Sequence, residues 1–176
     1  MYNWAYLRAG NVYQLLGDTE KALEQYKKSM VNFYLPAYRK VAKLSYYKYI
    51  KTNQSQYLDE AIDLLGSVYF KSLEHPYLLN DLAIYLWKAG RPLSNGDTPL
   101  KVIDRAISYV EGSSLLTSNS ENSEVYELYN TKAEIQIALA DAISGSDQRT
   151  DAYLNVLHML KNITKLSKTG NSFSWH

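Results

Sequence analysis

Three histidines, His75, His158 and His176, are the first residues to test for chemistry. A protein metal site needs ligands at set intervals, such as two histidines one helical turn apart or a close Cys pair. No His, Asp or Glu spacing here has that form, and the chain has no Cys at all. Disulfides, thiolate catalysis and Cys-based zinc sites are thereby removed. His75 precedes Pro76 and reads as a loop residue. His158 sits in "NVLHMLKNI", where Val156, Leu157 and Leu160 mark a core side, so it reads as a satisfied helix-face residue rather than a ligand. His176 is terminal.

Nucleophile and phosphate chemistry fare no better. There is no G-x-S-x-G elbow and no S-x-x-K pair. "AGRPLSNGDT" holds two glycines, but without the phosphate-loop spacing or the Lys-Ser/Thr that should follow. The acidic pairs Asp18/Glu20 and Asp59-Glu60 stand near the starts of helical stretches. There they favour the helix dipole, which explains them without catalysis. The sequons at Asn53 and Asn162 are short enough to arise by chance. This reading expects no enzyme, no metal and no cofactor.

What remains is binding, and binding depends on how the elements position side chains. The chain has 176 residues, 46% apolar and 21% charged, with a formal net charge of +1. That composition suits a soluble domain and argues against a global basic field for nucleic acid. No apolar run approaches the ~18–20 residues of a membrane span, and the start has no signal-peptide pattern. The chain as given therefore fits a cytoplasmic setting, or an exported one after loss of a leader. Tyr is abundant at 17 residues, which suits helix seams where a hydroxyl reaches water.

Helical periodicity dominates. Leu7, Gly10, Tyr13 and Leu16 form one stripe, Gly17-Asp18 breaks it, and Ala22, Leu23, Tyr26 and Met30 form a second. Pro36 closes the unit. Small Gly10 and Ala22 on facing sides let the two axes approach, with Tyr13 and Tyr26 beside them. Later segments follow the same plan. "AYRKVAKLSYYKYI" and "YLDEAIDLLGSVYFKSL" flank a loop "KTNQSQ"; "LNDLAIYLWKAGR" and "VIDRAISYV" flank "RPLSNGD". "EVYELYNTKAEIQIALADAI" and "DAYLNVLHMLKNITKL" flank "SGSDQRT", after a polar linker "EGSSLLTSNSENS". The expectation is an all-α chain of eight helices in four hairpins, with units near 2–35, 36–75, 76–112 and 121–168 in one array over 1–168, and a tail over 169–176.

The first hairpin resembles the tetratricopeptide repeat, a helix-turn-helix unit of ~34 residues. Tyr6, Gly10, Tyr13, Gly17, Asp18, Ala22, Tyr26 and Ser29 fit its register; Ala9 stands where Leu is usual, and Pro36 comes late. "LNDLAIYLWKAGR", "VIDRAISYV" and "LYNTKAEI" are similar to a pairing common in bacterial repeat proteins. The resemblance implies a right-handed superhelical solenoid whose first helices line a concave groove for a peptide or protein segment. Carried over by register, the groove candidates are Leu7, Asn11 and Gln14, then Arg39, Lys43 and Tyr46. Asn80, Ile84 and Trp87 follow, then Asn130 and Glu134.

Their types fit that role. Asn amides bond a ligand backbone whatever its sequence. Arg39 and Lys43, one turn apart, add a positive spot for an acidic segment, and Trp87 an aromatic anchor. Leu7, Asn80 and Asp81 stand where a carboxylate-clamping receptor of this family carries other residues, which argues against that subtype. The helical pattern begins almost at once and no capping helix follows the fourth unit. The alternative expectation is therefore an array that packs on a neighbouring domain of a longer protein, or on a second copy.

Overall fold

The computed structural model describes residues 2–72, 75–112 and 119–170. They are all-helical, with no strand among them. Eight α-helices follow in order: α1 (Asn3–Leu15), α2 (Thr19–Ser29), α3 (Leu35–Thr52), α4 (Ser55–Tyr69), α5 (Pro76–Ala89), α6 (Pro99–Gly112), α7 (Asn119–Asp141) and α8 (Ser146–Gly170). A short 3-10 turn, Val31–Phe33, precedes α3. Two compact units divide the chain after Pro99. The division falls inside the expected 76–112 hairpin, with α5 in the first unit and α6 from Leu100 in the second.

In the first unit each helix packs on the next, and α3 also packs on α5. Local chemistry sets the joints. Asp18 caps α2 by accepting from the Lys21 N–H at 3.0 Å, and the Lys21 ammonium lies 2.8 Å from the same carboxyl. Gly17 takes a φ of +79° in that turn, a conformation that a β-carbon would disfavour. The start of α1 is tied to the end of α2: Ser29 Oγ donates to the Asn3 carbonyl at 2.6 Å, and Asn3 Nδ2 donates to the Val31 carbonyl at 2.7 Å. Pro36 comes late because residues 31–33 form the 3-10 turn, where Asn32 and Phe33 both have positive φ.

The first two hairpins join through Ala22, Tyr26, Val41 and Leu44, with Leu7, Tyr13, Leu23, Met30 and Leu64 around them. α4 and α5 supply further core residues. Ala61, Ile62, Leu65 and Val68 are buried on one, and Leu78, Leu79, Leu82, Ala83 and Leu86 on the other. Burying such aliphatic side chains contributes about 1.5–3 kcal/mol each before entropy is charged.

The loop after α5 is ordered by specific bonds. Gly90 ends α5 in the left-handed region at φ 63°. Leu93 is buried, and its N–H donates to the Asp97 carbonyl at 2.9 Å. The Tyr69 hydroxyl donates to the Asp97 carboxylate at 2.6 Å, and Asn95 Nδ2 donates to it at 2.8 Å. Arg91 pairs with Asp59 at 2.7 Å. The Pro/Gly/Ser/Asn composition marks this segment as a loop, and the lock on α4 gives it one conformation.

In the second unit α6 buries Val102, Ile103, Ala106, Ile107 and Val110, the helical stripe that the periodicity predicts. Lys132 on α7 pairs with Asp104 on α6 at 2.7 Å, and Tyr129 donates to Glu111. α7 packs on α8, with Leu128, Ala133, Ile135, Ala140, Val156 and Ile163 buried.

Several expectations about joints are corrected. "KTNQSQ" is no long loop: α3 runs to Thr52 and α4 starts at Ser55. Asn53, in the left-handed conformation at φ 53°, and the extended Gln54 reverse the chain between them. Asn tolerates that conformation better than other residues with a β-carbon. Of "EGSSLLTSNSENS", residues 111–112 and 119–123 are helical, while 113–118 lie outside the described residues. α8 begins at Ser146, inside the expected turn "SGSDQRT", and extends through Thr169 and Gly170; the remaining tail, 171–176 with His176, lies outside the described residues. Leu16 and Leu157, read as stripe or core residues, are exposed.

Candidate functional site: the face shared by α3 and α5

Adjacent packing of α3 and α5 brings together candidates from two successive hairpins. Arg39, Lys43 and Tyr46 stand at i, i+4 and i+7 along α3, one face of a helix. Asp81 and Tyr85 stand at i and i+4 on α5. The two rows mesh. Arg39 Nε donates to Asp81 at 2.6 Å, Nη2 reaches the second oxygen at 3.4 Å, and Lys43 Nζ lies 3.8 Å away. One turn along, the Tyr46 and Tyr85 rings stack with centroids 4.5 Å apart. Behind Arg39, the Tyr77 ring lies 4.7 Å from the guanidinium carbon.

The electrostatics follow from this burial. The Asp81 side chain is 7% exposed and the Arg39 side chain 26%. Burial pushes the Tyr85 phenol well up, with the Asp81 carboxylate and Tyr46 adding in the same direction. Burial also raises Tyr46. Lys40, on the same turn of α3, is pushed down by burial and then by the nearby charges of Lys43 and Arg39.

The expected groove residues divide into groups. Arg39, Lys43, Tyr46 and Ile84 lie together on this face, half-buried. Trp87 is half-buried one turn beyond Ile84, with the Lys88 ammonium 3.9 Å from its ring centroid. Asn80 does not face outward: at 2% exposure it is packed inside, although it stands one turn before Ile84 on α5. Asn11 and Gln14 sit on α1 around the Tyr26 hydroxyl, each amide oxygen 2.8 Å from it. A hydroxyl carries one proton, so it donates to one amide at a time, and both amides serve the fold first. Asn130 and Glu134 are exposed one turn apart on α7, in the second unit.

The positive spot expected from Arg39 and Lys43 is altered. Both turn toward Asp81, so the local charge is largely answered from within the protein. The sequence shows Asp81 only as the residue after Asn80, and nothing local signals that it reaches α3. The nearest hint is the spacing of 42 residues between Arg39 and Asp81, a little over one repeat.

Beside this face a cavity of about 310 Å³ opens between the first turns of α3 and the start of α5. Leu35 and Leu78 form apolar walls, and Arg39, Lys40 and Lys43 line it with His75. Lys40 does not stand out in the sequence, and His75 reads there only as a loop residue. Among the described residues no group of three or more His, Cys, Asp or Glu is placed to hold a metal ion. No described helix is long and apolar enough to cross a membrane.

No family model matches this chain, and neither a curated protein nor a solved structure does. The site therefore rests on its own geometry.

Proposed function

We propose that the chain is a non-catalytic scaffold of tetratricopeptide-like hairpins that binds a peptide or protein segment along the concave face of its first helices. The observation that carries this reading is the side-by-side packing of α3 on α5. In a stacked-hairpin array, first helices of successive units are neighbours and line one surface. The close Gly10–Tyr26 contact and the buried Ala22, Ala61 and Ala106 are further support, since small residues at these positions let paired helices approach. Tyr46, Ile84 and Trp87 would give a segment apolar contact, and Lys43, the more exposed of the two cations on Asp81, would meet its acidic groups.

A random peptide library displayed against the whole chain tests the reading. Recovered peptides should share an apolar residue flanked by acids, and Ile84→Ser with Trp87→Ala should weaken them by about tenfold or more. Recovery of no peptide, or equal affinity for that variant, would rule the face out.

A second reading, self-association or packing on a neighbouring domain, is favoured by one observation. Trp4, Val12, Leu15 and Leu16 on and just after α1 are all exposed, Leu15 at 88%. Exposed apolar groups in such numbers along one helix mark interaction surfaces. Light scattering across a concentration series separates the readings: a mass that stays that of one chain counts against self-association.

A further inference from the structure

Lys40 differs in its surroundings from the lysines that pair within the fold. Lys21, Lys28, Lys43 and Lys132 each face a carboxylate, at 2.6 to 3.8 Å. Lys40 is half-buried on α3, and no carboxylate lies within ion-pair distance of it among the described residues. The Tyr26 ring of α2 is 5.9 Å from its ammonium, at the outer limit of a cation–π attraction. The charges nearest it on its own helix are Arg39 and Lys43; on α5, Asp81 is turned to those two, and His75 lines the same cavity. Burial first, then Lys43 and Arg39, hold Lys40 below the ordinary lysine value of 10.5. Lys21 and Lys28 are moved the other way by Asp18 and Glu24.

Reagents can reach this amine. Lys40 lines the cavity of about 310 Å³ at the start of α3, beside the apolar walls of Leu35, Pro36 and Leu78. A lysine in apolar surroundings with cationic neighbours keeps its lone pair free more of the time, which makes it a nucleophile. Conversion to an amide would suit the site. It removes a charge that burial disfavours and gives the carbon walls something to cover. An aldehyde would serve less well, since its imine can take up a proton and restore the charge. A thioester transfers readily to amines yet resists water, so it survives to discriminate between lysines.

We propose that Lys40 is a site of N-acylation by an acyl thioester, with the acyl chain against Leu35, Pro36 and Leu78. The free amine attacks the thioester carbonyl. The C–N bond forms as the C–S bond breaks, and the amine proton leaves with the sulfur as a thiol. Neither Ile84 nor Trp87 takes part, so this site stands or falls separately from the peptide face.

The test treats the whole chain with the butyryl thioester of N-acetylcysteamine, at a dose that acylates only a small part of it. Nα-acetyllysine amide in the same tube is the free-amine standard, and mass-spectrometric peptide mapping reads each lysine. At about pH 8, Lys40 should react severalfold faster than the standard, and the lead should shrink as pH rises toward about 10.5, where both amines lose their protons. Pro36→Glu should abolish the lead. It places a carboxylate one turn before Lys40, at the spacing of a helix ion pair, in a first turn that favours an acid. Pro36 is exposed, and far-UV circular dichroism checks the variant; Leu35→Glu, in the same turn, replaces it if it fails to fold. No lead over the standard, a lead that stays constant with pH, or a lead that survives the added carboxylate would each overturn the proposal. An acetyl thioester that matches the butyryl one at Lys40 would overturn the placement of the chain against the apolar walls.

Discussion

The ring of Tyr26 lies across Gly10 so closely that a β-carbon on Gly10 would sit 2.4 Å from it. Tyr26 is fully buried, and its hydroxyl is held by Asn11 and Gln14, so the ring cannot swing aside without giving up those bonds. In an open helix, Gly to Ala would stabilise by up to about 1 kcal/mol. Here the sign should reverse. Gly10→Ala is expected to cost about 1–3 kcal/mol, the range for overpacking a filled site, read as a lower urea midpoint. An unchanged or raised midpoint would show that the ring has room to move.

The Arg39–Asp81 pair makes a different prediction. Asp81→Asn keeps the shape and removes the charge that two cations share. A fully buried pair broken from one side costs about 3–5 kcal/mol. Arg39 retains some contact with water, so the expected loss is about 1–3 kcal/mol. Replacing both partners, Arg39→Met with Asp81→Leu, should recover most of it, since apolar side chains of similar size often match a buried ion pair. Chemical denaturation of Arg39→Met, Asp81→Leu, the double variant and the parent closes the cycle. A double variant less stable than Asp81→Asn alone would contradict it.

Alkaline stability follows from the tyrosines. Tyr85 and Tyr46 are raised chiefly by burial, and burial with the Glu111 bond brings Tyr129 up to about 12. A phenol raised on folding keeps its proton in the native state after the unfolded chain has begun to lose it, at about pH 10. The unfolded state then binds fewer protons, so stability is constant below about pH 10 and falls as pH rises from there through the native values. Urea midpoints should therefore drop between about pH 10 and pH 12, and Tyr85→Phe should flatten the drop. A midpoint independent of pH over that window would refute the burial of these hydroxyls.

Tyr69→Phe tests the loop lock. It deletes one hydroxyl and leaves the Asp97 carboxylate, itself 5% exposed, with one fewer donor. Unmade buried bonds of this kind cost about 1–3 kcal/mol. Hydrogen exchange should speed first at the Leu93 and Gly96 amides, which bond within the loop, ahead of the α4 core. Simultaneous loss across α4 and the loop would mean that the two unfold as one.

Much of the architecture was legible because it is periodic. The eight helices, the Gly17-Asp18 turn, Gly90 as a C-cap and the buried stripe of α6 all follow from local spacing and the conformational habits of Gly and Pro. Element ends were less so. Lys51, Thr52 and Ser55 are polar, as loop residues are, yet they continue or begin helices because Asn53 and Gln54 suffice for the reversal. The site was legible only by analogy of register. Arg39, Lys43 and Tyr46 share a face because they share a helix. Their partners Asp81 and Tyr85 come from more than one repeat away, and no local pattern reports such a contact. Asn80 fails for the converse reason: on a helix apolar on most sides, register alone does not distinguish an inner position from an outer one.

The hydrogen bonds around Asn95 also govern how the molecule ages. Asn95 precedes Gly96, and an Asn-Gly step is the one most open to cyclisation, because glycine leaves its peptide nitrogen unshielded. In the folded loop the Asn95 amide donates to Asp97 through Nδ2 and accepts the Asp97 N–H through Oδ1 at 3.1 Å, so the group that would leave is engaged. Any fraying of the loop releases it. Deamidation then yields an acid directly facing the Asp97 carboxylate, and the contact that closed the loop becomes a repulsion that holds it open. The lock therefore acts as a ratchet: intact, it protects its own key residue, and once that residue has reacted the loop does not return.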